Sequence, residues 1–287
     1  MNRDLCITTL VEDTTLDGGL LAEHGLSFWI ECGDKRILFD TGQSDILVRN
    51  AETLGINLSE TNAIVLSHGH YDHTGGLSEI LAIAPKATIY LHPAAIEPKF
   101  CRKASGITSI GIPYLAKKDL QNRHVVWTAT PAQICPDISV TGQISRINNF
   151  EYVGGGFFLD ENSKTPDDLL DDQALFIESA RGLVVILGCA HSGVINTLEY
   201  ISNLTSQDKI YAVIGGMHLL NAPEERIERT IAAFRKYDVQ RIGFAHCTGA
   251  DAVQRFSDTF KEQYFACSAG TKISFEKSQI YLYSETK

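Results

Sequence analysis

Short apolar runs bounded by turn residues dominate the first part of the chain and predict β-strands. The runs cover residues 5–11, 26–31, 36–40, 63–67 and 87–91. Cys-Gly-Asp-Lys between the second and third runs predicts a hairpin turn, and the segments 45–54 and 76–84 predict helices. The 63–67 run, AIVLS, has the continuous apolar character that is typical of a strand buried on both faces.

The second half of the chain alternates strand and helix patterns in the same way. Strands are predicted at 174–178, 183–187, 210–214, 241–245, 273–276 and 279–283, and helices at 193–203, 223–237 and 250–262. This alternation, with its frequent hairpins, indicates an α/β (layered α+β) fold in which two mixed sheets pack together with helices outside, a four-layer αββα sandwich. No linker or charge block divides the sequence, so we expect a single domain over residues 1–287 with an irregular insertion around residues 93–149.

Net charge narrows the class of partner. The 287 residues carry a formal charge of −10, and the isoelectric point is about 5.4. Proteins that bind nucleic acids or membrane surfaces need clustered Lys and Arg, so we expect a small-molecule substrate and neither of those partners. No run approaches 18 apolar residues, which argues against a membrane span. The oligomeric state is not readable from these patterns.

Cysteine usage indicates the compartment. The chain has seven cysteines without zinc-finger spacing, which argues against a disulfide framework and for a reducing cytoplasm. The first residues, MNRDLCITTLVEDTT, have no long apolar stretch of the kind found in signal peptides. We therefore expect a cytoplasmic protein.

Potential metal ligands are most concentrated in the segment His68-Gly-His70-Tyr-Asp72-His73, directly after the apolar 63–67 run. Imidazole nitrogens and carboxylate oxygens are ligands that borderline metals accept. His68 and His70 are two residues apart, so in extended backbone they project to the same side and can hold one ion. Asp72 and His73 begin a turn into a helix and can reach a second ion. Four potential ligands in six residues predict a metal site.

Three more histidines follow apolar strands, a position where α/β proteins carry ligand-binding groups. They are His191 in VVILGCAHSG, His218 in AVIGGMHLL and His246 in IGFAHCTG. His24, just ahead of a strand, is a weaker candidate. Cys247 is adjacent to His246, and neighbouring residues of an extended strand face opposite ways, so we expect Cys247 to point away from the site.

The segment from His68 to His73 resembles the H-x-H-x-D-H signature of the metallo-β-lactamase superfamily. The preceding ILFDTG, with Asp40, resembles the first motif of that family, whose Asp orients the metal loop without being a ligand. HGLSFWIE, HGHYDHTGG, GLVVILGCAHSGVINTLEY, GGMHLL and HCTG resemble the branch of the 7,8-dihydropterin-6-ylmethyl-4-(β-D-ribofuranosyl)aminobenzene-5′-phosphate synthases. The resemblance spans about residues 5 to 249 and implies a metallo-β-lactamase-like sandwich.

The resemblance also implies a cofactor, two divalent metal ions. His68 and His70 match ligands of metal one, whereas Asp72, His73 and His246 match ligands of metal two. Zinc is the first choice of metal, with Fe or Mn as alternatives, because His-rich sites with carboxylate suit all three.

The middle motifs depart from the family pattern, which usually supplies a further His and an Asp that bridges both metals. GCAHSG contains no Asp. His191 is favoured as the additional ligand, with Cys189 and Asp172 as other candidates. Asp72 and His218 are the candidate catalytic residues; His218 fits a substrate-facing residue or one that supports a ligand, and a core histidine is the alternative.

The family's chemistry leaves several functions open, because a fold alone does not choose among them. The branch implies a metal-dependent enzyme acting on a phosphorylated or diphosphate-bearing small molecule, either as a hydrolase or by transfer of a pterin-methyl group with loss of diphosphate. A phosphodiesterase or thioester hydrolase is the alternative enzyme. A metal-binding sensor without turnover is the alternative outside catalysis, and it would be expected to lack ligands or to carry an effector domain.

Overall fold

The computed structural model describes residues 4–16, 18–151 and 156–275. The predicted strand at 279–283 lies outside these residues. Contacts group the chain into two compact units. Of the described residues, the N-terminal unit contains 4–127, 156–171 and 268–275, and the C-terminal unit contains 128–151 and 172–267.

The described strands are β1 (Leu5–Val11), β2 (Ser27–Cys32), β3 (Lys35–Phe39), β4 (Ala63–Val65), β5 (Thr88–Leu91), β6 (Phe100–Lys103), β7 (Gly106–Ser109), β8 (Val125–Trp127), β9 (Ala132–Cys135), β10 (Ile138–Val140), β11 (Phe157–Phe158), β12 (Leu175–Ser179), β13 (Gly182–Leu187), β14 (Ile210–Gly216), β15 (Arg241–Ala245), β16 (Tyr264–Ala266) and β17 (Lys272–Ser274). The described α-helices are α1 (Ile46–Thr53), α2 (Tyr71–Thr74), α3 (Leu77–Ile83), α4 (Tyr114–Leu120), α5 (Val194–Thr205), α6 (Glu224–Lys236) and α7 (Ala250–Phe260). Short 3₁₀ turns occupy Leu58–Glu60, Pro93–Ile96, His246–Thr248 and Lys261–Gln263.

The N-terminal unit is built on a sheet whose described strands run in the order β17–β1–β2–β3–β4–β5–β8. Strands β1, β2 and β3 pair antiparallel, whereas β3, β4, β5 and β8 pair parallel. Trp29, Leu38 and Ile64 form part of its apolar core, packed with Leu47 of α1 and Ile80 of α3. Parallel pairing puts the carboxyl ends of β3 and β4 at one edge, where the first metal motif begins.

The C-terminal unit is built on a second sheet, in the order β16–β15–β14–β13–β12–β10–β9 for its described strands. Strands β13 to β16 are parallel, and α5, α6 and α7 connect them in turn. Val185, Val213 and Ile242 contribute from the sheet to a core that also holds Phe234 and Phe256. The carboxyl ends of β13, β14 and β15 therefore lie side by side.

The predicted elements agree closely with the observed ones, except in one region. Every predicted strand and helix that falls on described residues is present with bounds that differ by at most two residues. The stretch 93–149, expected to be an irregular insertion, contains short regular elements that were not predicted one by one. This stretch contains β6 to β10 and α4, and its strands β8, β9 and β10 extend the two large sheets. Strands β8 and β9 are short and partly exposed, and β10 has only three residues, so none of them is long enough to show a clear apolar periodicity.

Candidate metal centre

One buried carboxylate organises the first metal motif. Asp40, immediately after β3, accepts hydrogen bonds from the backbone N–H and the hydroxyl of Ser67, each at 2.7 Å. Its Oδ2 also lies 2.7 Å from Nδ1 of His73. The contact with Asp40 occupies Nδ1 of His73 and leaves Nε2 as the ring nitrogen suited to bind a metal. Asp40 thus contacts both ends of the motif; its role in orienting metal ligands stays a prediction.

The imidazoles of the motif pack closely together in the interior. The hydroxyl of Ser67 lies 2.9 Å from Nδ1 of His68, and Nε2 of His68 lies 3.0 Å from Nδ1 of His70. The ring centroids of His68 and His73 are 4.2 Å apart. Burial lowers the pKa of His70 to about 4, although the charges of Asp72 and Asp171 act in the opposite direction. His70 is therefore neutral near pH 7, which is the form that coordinates metals.

Tight backbone contacts hold this loop in place. A Cβ at Gly69 would lie 2.1 Å from the carbonyl oxygen of Ala95, so only glycine fits between the two histidines. The N–H of Gly69 donates to Asp171 at 2.7 Å. Lys99 donates to Asp171 at 2.9 Å and to Asp167 at 2.8 Å. This ion-paired group therefore holds the backbone between His68 and His70, whereas Asp40 contacts Ser67 and His73 at the two ends of the motif.

Asp72 lies at the start of α2, close to two histidines. Its Oδ2 is 3.7 Å from Nε2 of His73 and 3.4 Å from Nε2 of His24. Nδ1 of His24 is 3.1 Å from Oδ2 of Asp13. The weaker candidate His24 therefore contacts the motif through Asp72, while its own side chain remains 55% exposed.

Three parallel strands of the C-terminal unit end in strained turns. Ala190, His218 and His246 follow β13, β14 and β15, with φ values of 54°, 45° and 51°. Residues other than glycine seldom adopt this left-handed conformation, and they retain it where the surrounding structure enforces it, often at functional sites. His218 and His246 are partly buried, and His191 is buried.

The turn that carries His191 is fixed by two acidic residues. Asp172 accepts the N–H of Ser192 at 2.8 Å. Glu151 accepts the N–H groups of Ile195 and Asn196, each at 2.8 Å, and so caps the start of α5. Asp172 thus has a structural contact that the sequence did not indicate; whether it also binds a metal stays a prediction.

Cys189, His218 and Cys247 form a compact group in the C-terminal unit. Their candidate ligand atoms all lie within 4.8 Å of one another, and the rings of His191 and His218 are 4.5 Å apart between centroids. The expectation that Cys247 points away from the site is wrong. It assumed an extended strand through residue 247, whereas His246–Thr248 is a 3₁₀ turn, which does not alternate side chains between two faces.

The thiol of Cys247 has a lowered pKa. Burial raises its pKa, but hydrogen bonds with Cys189 and His218 and the nearby charge of His246 outweigh burial, so the pKa lies well below its ordinary value. A thiol with a lowered pKa is more readily a thiolate, which is the form that binds metals.

The structure thus gathers His68, His70, Asp72 and His73 in the N-terminal unit, and Cys189, His191 and His218 in the C-terminal unit. Sequence reasoning missed several supporting residues: Ser67, Lys99, Asp167, Asp171, Glu151 and Cys247. Ser67 and Cys247 are adjacent to motif histidines, which was an available signal. Lys99, Asp167 and Asp171 are distant in sequence from the loop they support and gave none.

A family model described as the metallo-β-lactamase superfamily matches residues 21–200. The chain belongs to the metallo-β-lactamase superfamily. The expected fold is confirmed by a crystal structure of a metal-dependent hydrolase of this superfamily, which has a TM-score of 0.81 and 31% sequence identity and covers 95% of this chain and 100% of that one. Among the described residues, no helix has the length and apolar character needed to cross a bilayer.

Two proteins of Methanocaldococcus jannaschii are similar to this metallo-β-lactamase-family chain over most of their length. The first, a 7,8-dihydropterin-6-methyl-4-(β-D-ribofuranosyl)-aminobenzene-5′-phosphate synthase, is 34% identical over 94% of this chain and 96% of its own. The second is uncharacterised and is 34% identical over 86% of this chain and 93% of its own. The expected resemblance to the synthase branch is confirmed. Together these findings support a metal-dependent enzyme that acts on a small molecule.

Proposed function

We propose that this protein is a dinuclear metal enzyme that transfers a 7,8-dihydropterin-6-methyl group to the amine of a ribofuranosyl-aminobenzene phosphate, with loss of diphosphate. The observation that carries this proposal is the 34% identity to the archaeal synthase, spread over 94% of this chain. Similarity on that scale extends over nearly the whole chain.

The residues present fit a pair of divalent ions. We propose His68, His70, Asp72, His73, His191 and His246 as ligands, with Cys189 and Asp172 as additional candidates and Asp40 as the orienting residue. The buried, closely packed imidazoles of His68, His70 and His73 support this set, because imidazole nitrogens gathered in one group are the ligands that such ions accept. We propose zinc, which accepts nitrogen, oxygen and sulfur ligands.

In the proposed reaction, a C–O bond breaks and a C–N bond forms. The arylamine nitrogen bonds to the methylene carbon of the pterin, diphosphate leaves with the electron pair of the C–O bond, and the amine proton passes to solvent. When bound, divalent metal ions supply Lewis acidity that stabilises charge developing on a phosphate leaving group.

The side chains of this protein would act around that reaction in distinct ways. Asp40 holds Nδ1 of His73 and the N–H of Ser67, so the ligand loop is already ordered before substrate binds. We propose Asp72 and His218 as catalytic residues. His218, at the end of β14, has a buried Nδ1 without a hydrogen-bond partner among the described residues, which makes it available to a substrate or another ligand.

The test is a product analysis on the purified, metal-loaded enzyme. Dihydropterin-methyl diphosphate is incubated with the ribofuranosyl-aminobenzene phosphate, and products are followed by mass spectrometry. We expect the coupled pterin–arylamine product and one diphosphate per turnover, both abolished by chelation. Hydrolysed pterin alcohol with no coupled product would contradict transfer.

A second candidate is hydrolysis, favoured by the 31% identity and TM-score of 0.81 to the metal-dependent hydrolase. The same assay without the arylamine acceptor, together with phosphodiester and thioester substrates, tests this function. Hydrolysis that exceeds transfer would favour it. Full metal content with no turnover of any substrate would instead favour a sensor.

We propose that the protein is located in the cytoplasm. None of the seven cysteines, all of which the structure describes, forms a disulfide. This supports a reducing compartment.

A further inference from the structure

We infer that Cys189, His218 and Cys247 form a thiolate-rich metal site of their own, suited to zinc. The site lies entirely in the C-terminal unit. It uses two sulfur atoms and one imidazole nitrogen. Cys189 and His218 are also candidates in the dinuclear site proposed above, and here they hold an ion together with Cys247, whichever reaction the enzyme performs.

The spacing of the three ligand atoms suits one ion. They lie within 4.8 Å of one another. Around a tetrahedral zinc ion, with Zn–S of about 2.3 Å and Zn–N of about 2.0–2.1 Å, ligand atoms are separated by roughly 3.5–3.8 Å. Side-chain adjustments of about 1 Å would bring the three ligand atoms to these separations.

The backbone brings these residues together from three strands. Cys189, His218 and Cys247 follow β13, β14 and β15, which are adjacent and parallel. The turns are linked, since the N–H of Leu220 donates to the carbonyl of Cys247 at 3.3 Å. The thiol of Cys247 lies 3.6 Å from the carbonyl oxygen of Cys189. The group is thus built into one edge of a sheet and does not depend on a loose surface loop.

The space for the second sulfur depends on a glycine. A Cβ at Gly216 would lie 2.8 Å from Sγ of Cys247 and 2.4 Å from the carbonyl oxygen of Gly188. Any larger residue at position 216 would therefore displace the thiol. The close approach of Gly216 and Cys247 keeps the sulfur beside the last residue of β14, two positions before His218 in the chain.

The imidazole of His218 gives independent support for a ligand. Its Nδ1 is buried and has no hydrogen-bond partner among the described residues. Buried polar atoms in folded proteins nearly always have a partner, and a cation satisfies an imidazole nitrogen as a hydrogen bond would. Three protein ligands of the Cys₂His type leave a fourth position for water or another ligand, as in catalytic zinc sites.

Cobalt(II) is the probe that tests this site, because cobalt bound to thiolates shows charge-transfer absorption that cobalt bound only to nitrogen and oxygen lacks. The metal-free full chain, with all cysteines reduced, is titrated with Co²⁺. We expect a thiolate-to-cobalt band that saturates with one equivalent of thiolate-bound cobalt. We expect Cys189→Ser and Cys247→Ser each to lose most of the band, and Gly216→Ala to weaken the cobalt affinity that the band reports.

Matched variants separate this inference from the proposed function. Cys135→Ser, which removes a half-buried cysteine outside the group, is expected to keep the full band, and so is the double variant His68→Ala/His70→Ala. Absence of the band in the wild-type chain, or its persistence when Cys189 and Cys247 are both serine, would overturn the inference. If the enzyme is active but shows no band, the proposed function stands and the thiolate site is refuted. If the band is present but the enzyme has no transfer activity, the thiolate site stands and the proposed function is refuted.

Discussion

Asp40 and His73, 33 residues apart in sequence, are joined by a 2.7 Å contact between Oδ2 and Nδ1. Both side chains are fully buried. Since Asp40 also binds the backbone and hydroxyl of Ser67, one carboxylate fixes the beginning and the end of the loop that carries the candidate ligands. The loop is therefore preorganised by a residue that is not itself expected to bind metal.

Replacing Asp40 by Asn is expected to lower metal affinity about 10–100-fold, the usual cost of losing a residue that orients a ligand. The amide cannot accept from both Ser67 and His73 as a carboxylate does, so the ring of His73 loses its fixed orientation. Competition with a chromophoric chelator measures the affinity. The control is Asp45→Asn, at an exposed position before α1. Equal affinities for the two variants would show that Asp40 does not orient the loop.

The double variant His68→Ala/His70→Ala is expected to lose at least one equivalent of metal and the catalytic activity while it keeps its fold. These imidazoles are 3.0 Å apart between Nε2 and Nδ1, close enough to share one ion. Elemental analysis gives the metal content and circular dichroism the fold. His124→Ala removes an exposed histidine and should change neither. Wild-type metal content in the double variant would refute the assignment.

The sequence predicts the part of the candidate site whose residues are close to one another along the chain. The motif from His68 to His73 is visible because its residues are close in sequence and follow an apolar strand. The supporting contacts of Lys99 and Asp171 are long-range and leave no periodic signal. The alternation of side chains along a strand does not hold at Cys247, because His246–Thr248 is a 3₁₀ turn.

Lys99 provides a test of the long-range support. Its side chain is 1% exposed between Asp167 and Asp171. Burial lowers the pKa of Lys99, but the two carboxylates outweigh it and raise the pKa overall. Burial likewise raises the pKa of Asp171, but Lys99 outweighs it and the pKa is lowered overall. Both partners are therefore charged near pH 7.

Lys99→Met is expected to reduce the free energy of unfolding by about 3–5 kcal/mol, because it leaves two buried carboxylates without their cation. Urea denaturation followed by circular dichroism measures the change. Lys118→Met, at an exposed position of α4, is the control and should change stability by less than about 0.5 kcal/mol. If both variants unfold at the same urea concentration, the ion pairs do not support the loop.

Glu151 offers a matching test in the C-terminal unit. It is 1% exposed and accepts the N–H groups of Ile195 and Asn196 at the start of α5, the helix that begins just after His191. Glu151→Ala removes both acceptors and a negative charge at the positive end of the helix, so we expect a loss of about 1–3 kcal/mol in the free energy of unfolding. Thermal and urea denaturation measure this loss, with Glu178→Ala, at an exposed position of β12 in the same unit, as the control.

Because the capped turn also positions His191, we expect metal content to fall in the Glu151 variant and to stay constant in the control. A variant that is destabilised but keeps all its metal would show that the cap supports the helix and not the ligand.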